Sequence, residues 1–174
     1  MKSRFTRAAA SALFGLLAFG PMFAGIASAQ SNAPSAASAN AAAPWDQRVN
    51  PAAVQADVWF DNYTFRDGET LARLRLHYAT LGTPHRNAQG AVDNAVLVLH
   101  WTGADSRTLL SPTYTKALFD PGRPLDANRY YLIFPDNIGH GQSSKPSDGL
   151  KAKFPNYDYG DIVDLQHKLV TETL

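Results

Sequence analysis

The stretch "YYLIFPDNIGHGQSSKP", from Tyr130 to Pro146, begins as an uninterrupted apolar run and continues as a loop rich in Gly, Ser and other polar residues. An apolar run without alternation is typical of a strand covered on both faces, as in a parallel sheet flanked by helices. A second run of this kind, "AVLVLH" from Ala95 to His100, lies upstream. The two runs predict two buried parallel strands and therefore an α/β fold.

The segment before these strands has the pattern of a β-hairpin. In "VWFDNYTFRDGETLARLRLHYATLG", residues 58–82, the pair Asp67-Gly68 separates two runs rich in strand-forming residues, which is a strong short-range hairpin signal. The second run alternates, which predicts one buried face and one solvent-facing face. The apolar positions are Leu74, Leu76 and Tyr78, and the polar positions are Arg73, Arg75 and His77.

Two helices are expected between and after the buried strands. Ser111 followed by Pro112 predicts the start of a short helix, since proline suits a first helical position. The segment 121–124 contains two prolines and a glycine and ends this helix. A longer amphipathic helix is predicted from about Tyr159 to the end of the sequence. Its apolar positions at helical spacing are Ile162, Leu165, Leu169 and Val170.

The first 29 residues have the three parts of a secretory signal peptide. Lys2, Arg4 and Arg7 precede an apolar run, and Ala27-Ser28-Ala29 is typical of a cleavage site. A membrane anchor is the alternative, but the apolar run is shorter than the roughly 20 residues that span a bilayer. We therefore expect cleavage after Ala29, a periplasmic or secreted protein, and no stable membrane anchor after cleavage.

The next segment, residues 30–44, is predicted to be a disordered linker. It reads "QSNAPSAASANAAAP" and contains neither a charge nor a large apolar side chain, so it cannot offset the entropy lost on ordering. Order is predicted to begin between Trp45 and Val58. The folded part is therefore assigned to residues 45–174.

The composition excludes several classes of protein. The sequence of 174 residues has no cysteine, which excludes a disulfide framework and a thiolate metal site. The formal net charge is +1, and no basic cluster lies outside the N-terminal region, so nothing indicates binding to nucleic acid. No cofactor or metal ion is predicted.

Functional loops of open parallel sheets leave the carboxyl ends of the strands, and two such loops are expected here. They are "HWTGADS", residues 100–106, and "PDNIGHGQSSKP", residues 135–146. The second loop holds the residue types of a hydrolytic triad, but Asp and Ser in such a loop commonly bond to nearby backbone, and Gly permits unusual backbone angles. We therefore interpret the polar residues and glycines of this loop as turn-forming. These residues are Asp136, Gly139, His140, Gly141, Ser143 and Ser144.

Four segments together resemble the front half of the α/β-hydrolase fold, and within it the homoserine O-acetyltransferase-like proteins. They are "HYATLGT" (77–83), "NAVLVLHWTG" (94–103), "FDPGRPLDANRYYLIFPDNIG" (119–139) and "FPNYDYGDIVDLQHKLV" (154–170). The resemblance implies an α/β fold built from a β-hairpin, two parallel strands and one C-terminal helix. It also implies serine-dependent acyl hydrolysis or acyl transfer on a small acyl ester or related substrate.

In that family the nucleophile lies in Gly-x-Ser-x-Gly, followed later by the acid and the histidine. No such motif occurs in the sequence, since "GQSSK" has Lys145 at the second glycine position. The resemblance therefore implies a partial domain that stops before the nucleophile, lacks all three triad members and is inactive alone. The alternative is a non-catalytic periplasmic binding or interaction fragment. Because acetyl-CoA is cytoplasmic, an export signal favours hydrolysis over acetyl transfer.

The resemblance also assigns an oxyanion-hole donor to the loop after the first buried strand, where a backbone N–H stabilises the developing charge. Trp101 is the first candidate and Thr102 the second, because this loop is one residue shorter than the family's usual His, two residues, Thr-Gly. His100 and Gly103 are expected to shape the loop, with His100 bonded to backbone. The Trp101 side chain is expected either to form a wall of the acyl pocket or to pack without a functional role.

Overall fold

The structure of the protein is a computed structural model, and it describes residues 49–174. The predicted signal peptide, residues 1–29, and the predicted linker, residues 30–44, lie outside the described residues. Between residues 49 and 174, no helix combines the length and apolar character needed to span a bilayer.

Four strands form one mixed sheet in the order β1-β2-β4-β3. Strands β1 and β2 are antiparallel, β2 and β4 are antiparallel, and β3 runs parallel to β4. The parallel pair and its helices confirm the predicted α/β architecture. The strands are β1 (Val54–Thr64), β2 (Thr70–Leu81), β3 (Ala95–Leu97) and β4 (Tyr131–Pro135).

The hairpin of β1 and β2 turns at the predicted pair. The Phe65 N–H donates to the Glu69 carbonyl, and the Gly68 N–H donates to the Phe65 carbonyl, each over 2.9 Å. Gly68 has φ +90°, a backbone angle that glycine adopts without steric cost. The Asp67 carboxylate accepts the Glu69 N–H. Local turn chemistry thus accounts for this hairpin, which confirms the sequence prediction.

Strand β2 buries the predicted apolar residues Leu74, Leu76 and Tyr78. The prediction of a solvent-facing His77 is wrong, since His77 is 5% exposed. The loop after β4 covers this part of the strand, and the His77 N–H donates to Ser143 Oγ. The buried ring keeps a polar partner, because its Nδ1 lies 2.7 Å from the Asp57 carboxylate.

Strand β4 is buried on both faces, as predicted. Ile133 packs in one apolar cluster with the β2 side chains and the C-terminal helix, whereas Leu132 and Phe134 pack in the other cluster. Phe134 contacts Phe119 edge to face, with ring centroids 5.2 Å apart. Successive side chains of β4 point to opposite faces of the sheet, so this strand contributes to both apolar clusters.

Strand β3 departs from its prediction. A strand buried on both faces from Ala95 to His100 was expected, but the strand covers only Ala95–Leu97, and Leu99 is 48% exposed. The cause is its position, because β3 is an edge of the described sheet and pairs only with β4. Within residues 49–174 no strand borders its other side.

The helix predicted at Ser111-Pro112 begins there, and a short helix that the sequence did not predict precedes it. Helix α1 is Ser106–Leu109, and α2 is Pro112–Tyr114, which continues as a π-helical turn over Thr115–Phe119. Short 3₁₀ turns cover Pro146–Asp148 and Lys151–Lys153.

Helix α3 is Tyr159–Lys168 and continues as a π-helical turn over Leu169–Thr173. It starts with a capping box, in which the Asp158 carboxylate accepts the Asp161 N–H and the Asp161 carboxylate accepts the Asp158 N–H. Leu165 and Leu169 are buried as predicted, whereas Val170 is 37% exposed, so its assignment to the core face is wrong. The change to π-helical geometry at Leu169 alters the spacing of the residues that follow.

Candidate active site

The loops that leave the parallel strands β3 and β4 are joined by one carboxylate. Asp136, directly after β4, is completely buried. One carboxylate oxygen accepts the Ser106 N–H and the other accepts the Gln142 N–H, each over 2.7 Å. Buried carboxylates require such partners, and these two fix the start of α1 against the loop after β4.

Two glycines of the loop after β4 are required by their neighbours. A β-carbon at Gly141 would overlap with the Asp136 carboxylate, and a β-carbon at Gly139 would overlap with the Tyr157 hydroxyl. Both glycines also have positive φ, +51° and +86° respectively. This geometry gives the predicted loop-shaping residues Asp136, Gly139 and Gly141 a physical role in the fold.

The serines of the same loop bind backbone. Ser143 is completely buried; its hydroxyl donates to the Asp136 carbonyl over 2.6 Å and accepts the His77 N–H over 2.9 Å. The Ser144 hydroxyl accepts the Arg75 N–H. These are the contacts expected of turn-forming residues, and they hold the loop on strand β2. Neither serine has a histidine ring as a hydrogen-bond partner among residues 49–174.

The loop after β3 forms a tight turn over Trp101–Ala104. The Ala104 N–H donates to the Trp101 carbonyl over 3.0 Å, and Gly103 has φ +81°. A glycine with this angle at the third position of a hydrogen-bonded four-residue turn is typical of a type II turn. Gly103 therefore sets the course of the chain in the predicted oxyanion loop.

His100 contacts both loops of the candidate site. Its ring is buried, with Nδ1 2.9 Å from the Trp101 carbonyl oxygen, and its Nε2 accepts the Asn137 N–H over 3.0 Å. The ring lies 5.2 Å from that of His140, measured between centroids. The structure thus places His100 between the carboxyl ends of β3 and β4, bonded to backbone on both sides.

The two candidate oxyanion donors have no acceptor within residues 49–174. Neither the Trp101 N–H nor the Thr102 N–H makes a hydrogen bond in that part of the chain. Both residues are exposed, and the Trp101 ring contacts Tyr114 with centroids 5.6 Å apart. Two backbone N–H groups without an internal acceptor are therefore present in the loop after β3.

A cleft of about 430 Å³ adjoins these donors. Its lining residues are His100, Trp101, Thr102, Asn137, His140, Tyr157, Asp158, Tyr159 and Ile162. The sequence did not single out Asn137, Tyr157 or Tyr159 as site residues, because no local motif marks them. The side chain of Asn137 is held by Gln166, whose side-chain amide Nε2 donates to Asn137 Oδ1 over 2.7 Å.

The chemistry of the lining limits what the cleft can do. Its residues include no serine or cysteine that could act as a nucleophile. Across residues 49–174, no group of three or more His, Cys, Asp and Glu side chains is arranged to hold a metal ion. The cleft thus offers backbone donors, two imidazole rings and aromatic walls, which suits binding and stabilisation of a polar group.

Asp105 fixes the start of α1 beside the oxyanion loop. Its carboxylate accepts the Thr108 N–H over 3.0 Å and bonds the Arg107 guanidinium. Burial by itself would raise the pKa of this carboxyl, but the bonds from Arg107 and Thr108 outweigh burial, so the Asp105 pKa lies below its ordinary value. Asp105 is therefore held ionised at neutral pH.

Comparison with known proteins relates this arrangement to acyl-transferring enzymes. A homoserine O-acetyltransferase of Leptospira biflexa serovar Patoc is 30% identical over 128 residues, which cover 64% of this chain and 32% of that protein. The chain resembles the homoserine O-acetyltransferases. No protein-family model matches it. The chain spans about a third of the length of the curated relatives it matches.

Solved structures show that the resemblance extends to the fold. An acetylester hydrolase from Corynebacterium glutamicum matches with a TM-score of 0.58 and 25% identity over 70% of this chain and 34% of that chain. A homoserine O-acetyltransferase from Bacillus anthracis matches with a TM-score of 0.53 and 23% identity over 69% of this chain and 36% of that chain. Residues 49–174 thus have a mixed α/β sheet of the α/β-hydrolase type.

Proposed function

We propose that this chain is the oxyanion-loop part of an exported serine-dependent acyl enzyme, with a small ester or related acyl compound as substrate. The observation that carries the proposal is the turn after β3, which leaves the Trp101 and Thr102 N–H groups unbonded beside a cleft. Backbone donors without internal acceptors are the group that acyl transfer needs where negative charge develops. The similar acetyltransferases and acetylester hydrolase support acyl chemistry.

In this proposal the acyl carbonyl lies in the cleft with its oxygen toward the oxyanion loop. A serine hydroxyl attacks the carbonyl carbon, the proton passes to a histidine, and the carbonyl oxygen becomes an oxyanion that accepts the loop N–H. Collapse of this intermediate breaks the bond to the leaving oxygen, which takes the proton from the histidine and departs as the alcohol, and an acyl-enzyme remains. Water or another acceptor then takes the acyl group, which distinguishes a hydrolase from an acyltransferase.

The serine and histidine of this reaction are proposed to lie outside the 174 residues. The serines of the loop after β4, Ser143 and Ser144, hold loop backbone, and the His100 ring nitrogens both face backbone groups. No Gly-x-Ser-x-Gly occurs in the sequence. The chain alone is therefore proposed to be inactive.

Export is proposed from the sequence. Lys2, Arg4 and Arg7, the apolar run and Ala27-Ser28-Ala29 predict cleavage after Ala29 and a periplasmic or secreted location. Intact-mass measurement of the exported protein should find Gln30 as its first residue. A membrane-bound chain that keeps Met1 would exclude this part of the proposal. Hydrolysis with water as the acceptor suits an exported enzyme better than a reaction that needs acetyl-CoA.

A second candidate function is a non-catalytic binding fragment. It is favoured by the cleft lining, which has aromatic walls and no nucleophile. In this case the chain would bind a small polar molecule or a partner without turning it over.

Turnover of an activated acyl ester distinguishes the two candidates. The 174-residue chain should show no burst of released alcohol when assayed alone. The same chain joined to the nucleophile-bearing remainder of an acetylester hydrolase should show a burst that depends on the supplied serine. A fused protein that folds but never acylates would favour the binding fragment, and a burst from the chain alone would refute the absence of a nucleophile.

A further inference from the structure

We infer that His100 is a positioning residue that aims the Thr102 N–H, rather than the Trp101 N–H, as the oxyanion donor of this loop. The inference rests on the proposed function, because Thr102 can act as an oxyanion donor only in an enzyme that transfers an acyl group. The geometry that carries it is independent of any activity, because it consists of the hydrogen bonds around one peptide group.

The peptide between Trp101 and Thr102 is held through its carbonyl. That oxygen lies 2.9 Å from His100 Nδ1 and also accepts the Ala104 N–H over 3.0 Å. Peptide units are planar, and no cis peptide bond occurs among residues 49–174, so the Thr102 N–H points opposite to this carbonyl. Two bonds that hold the carbonyl on the His100 side therefore direct the Thr102 N–H away from His100.

The state of the His100 ring follows from its partners. Nε2 faces the Asn137 N–H at 3.0 Å, so Nε2 must be the unprotonated acceptor. A neutral imidazole then carries its proton on Nδ1, which donates to the Trp101 carbonyl. Asn137 thus selects the tautomer that fixes the oxyanion loop, which connects the loop after β4 to the loop after β3.

The turn itself favours the same donor. Thr102 occupies the second position of the turn over Trp101–Ala104. The Trp101 carbonyl accepts the hydrogen bond that closes the turn, so the Thr102 N–H, on the opposite side of the same peptide, points outward. The Trp101 N–H belongs to the preceding peptide, whose carbonyl is that of His100. No hydrogen bond within residues 49–174 fixes that carbonyl. Thr102 therefore has the preorganised N–H that oxyanion stabilisation requires.

Two substitutions separate the roles of the two ring nitrogens. His100→Asn keeps an amide donor near the position of Nδ1, and His100→Gln places an amide oxygen near the position of Nε2. The inference predicts that His100→Asn keeps the Thr102 N–H orientation and that His100→Gln loses it. His85→Asn is the matched control, because the His85 ring is exposed, pairs with Asp93 and does not line the cleft.

Nuclear magnetic resonance on the full 174-residue chain, at a concentration where light scattering finds a monomer, tests the inference. Imidazole ¹H–¹⁵N correlations should find wild-type His100 protonated on Nδ1. The residual dipolar coupling of the Thr102 N–H should match a vector pointing away from His100. This coupling should be unchanged in His100→Asn and His85→Asn, and should shift in His100→Gln, as should the Trp101 carbonyl ¹³C resonance.

Protonation on Nε2 in the wild-type chain, or one common Thr102 coupling in all variants, would overturn the inference. If His100→Gln fails to fold, the wild-type tautomer and coupling still decide the question. Failure of the proposed function would be detected by a different experiment. If the fused protein shows no ester turnover, the proposed function is wrong, but the His100 tautomer and the Thr102 coupling are not affected.

Discussion

Gly141 lies so close to Asp136 that a β-carbon at position 141 would overlap with the Asp136 carboxylate. That carboxylate is completely buried and holds both loops of the candidate site through the Ser106 and Gln142 N–H groups. The absence of one side chain thus permits the hydrogen bonds that bring the carboxyl ends of β3 and β4 together.

Gly141→Ala is expected to destabilise the fold because Asp136 cannot move without losing a bond to Ser106 or Gln142. The overlap should cost about 1–3 kcal/mol, the scale of overpacking a core, in addition to the backbone strain of an alanine at positive φ. Gly122→Ala is the matched control, since Gly122 also has positive φ but a β-carbon added there would meet no atom within 4 Å. The control should lose only about 1–2 kcal/mol from backbone strain. Urea unfolding measures both, and equal losses would refute the role of Asp136.

Replacing Thr102 by proline is expected to remove the oxyanion donor without breaking the turn. Proline is favoured at the second position of a type II turn, which Thr102 occupies, and it has no N–H. In the chain joined to a nucleophile-bearing segment, kcat should fall on the order of 10²–10³-fold with little change in KM.

Trp101→Pro is the comparison for that experiment, because it removes the neighbouring N–H. We expect a smaller loss of kcat from it in protein that folds. Unchanged kcat in Thr102→Pro would assign the donor to Trp101 or to another residue. Trp101→Phe should have a mild effect in either case, because it keeps the backbone N–H of residue 101.

The Asp105 carboxylate is expected to contribute stability that depends on pH. Its pKa is lowered in the folded state, so its contribution is present above the ordinary carboxyl pKa of about 4 and is lost as the pH falls through the folded pKa. Asp105→Asn keeps an N-cap side chain but removes the charge that Arg107 bonds.

Urea unfolding of Asp105→Asn should therefore give a loss of about 1 kcal/mol at pH 6.5 and a smaller loss at pH 3. Asp61→Asn is the control, since Asp61 is an exposed carboxylate 4.0 Å from Arg73. A loss for Asp105→Asn that is the same at both pH values would contradict a charge effect.

The edge strand β3 is expected to promote association of the chain with itself. Its outer side is unpaired within residues 49–174, and Leu99, two residues after its end, is 48% exposed. Natural edge strands commonly carry a charge that prevents such pairing. Leu99→Lys should therefore lower association, measured by light scattering over a concentration series. Leu150→Lys adds the same charge at a 43% exposed leucine outside the sheet and should leave association unchanged. Equal effects would indicate that net charge, not the edge, controls solubility.

Local sequence signals account for much of this fold. Asp67-Gly68 specifies the hairpin turn, apolar residues at helical spacing mark α3, and the apolar run at β4 forms a strand buried on both faces. Each of these features depends on residues close together in the chain, or on burial that the whole run shares. Sequence patterns therefore predicted them.

Two departures from prediction depend on contacts between distant segments. His77 is buried by the loop that carries Ser143, and β3 is exposed because only β4 borders it in residues 49–174. In the site, the preference for Thr102 over Trp101 follows from the ring of His100 and the backbone of Asn137. Sequence spacing gives no information on the direction of a single peptide group.

Active-site labelling with a fluorophosphonate tests most directly whether the oxyanion loop serves a serine that lies outside these 174 residues. The natural protein is purified under native conditions with an antibody against residues 49–174, labelled, digested and mapped by mass spectrometry. We predict one labelled serine, in a Gly-x-Ser-x-Gly segment that purifies with this chain and has no counterpart among its 174 residues. A label on Ser143 or Ser144, or no labelled serine in folded protein, would contradict this account.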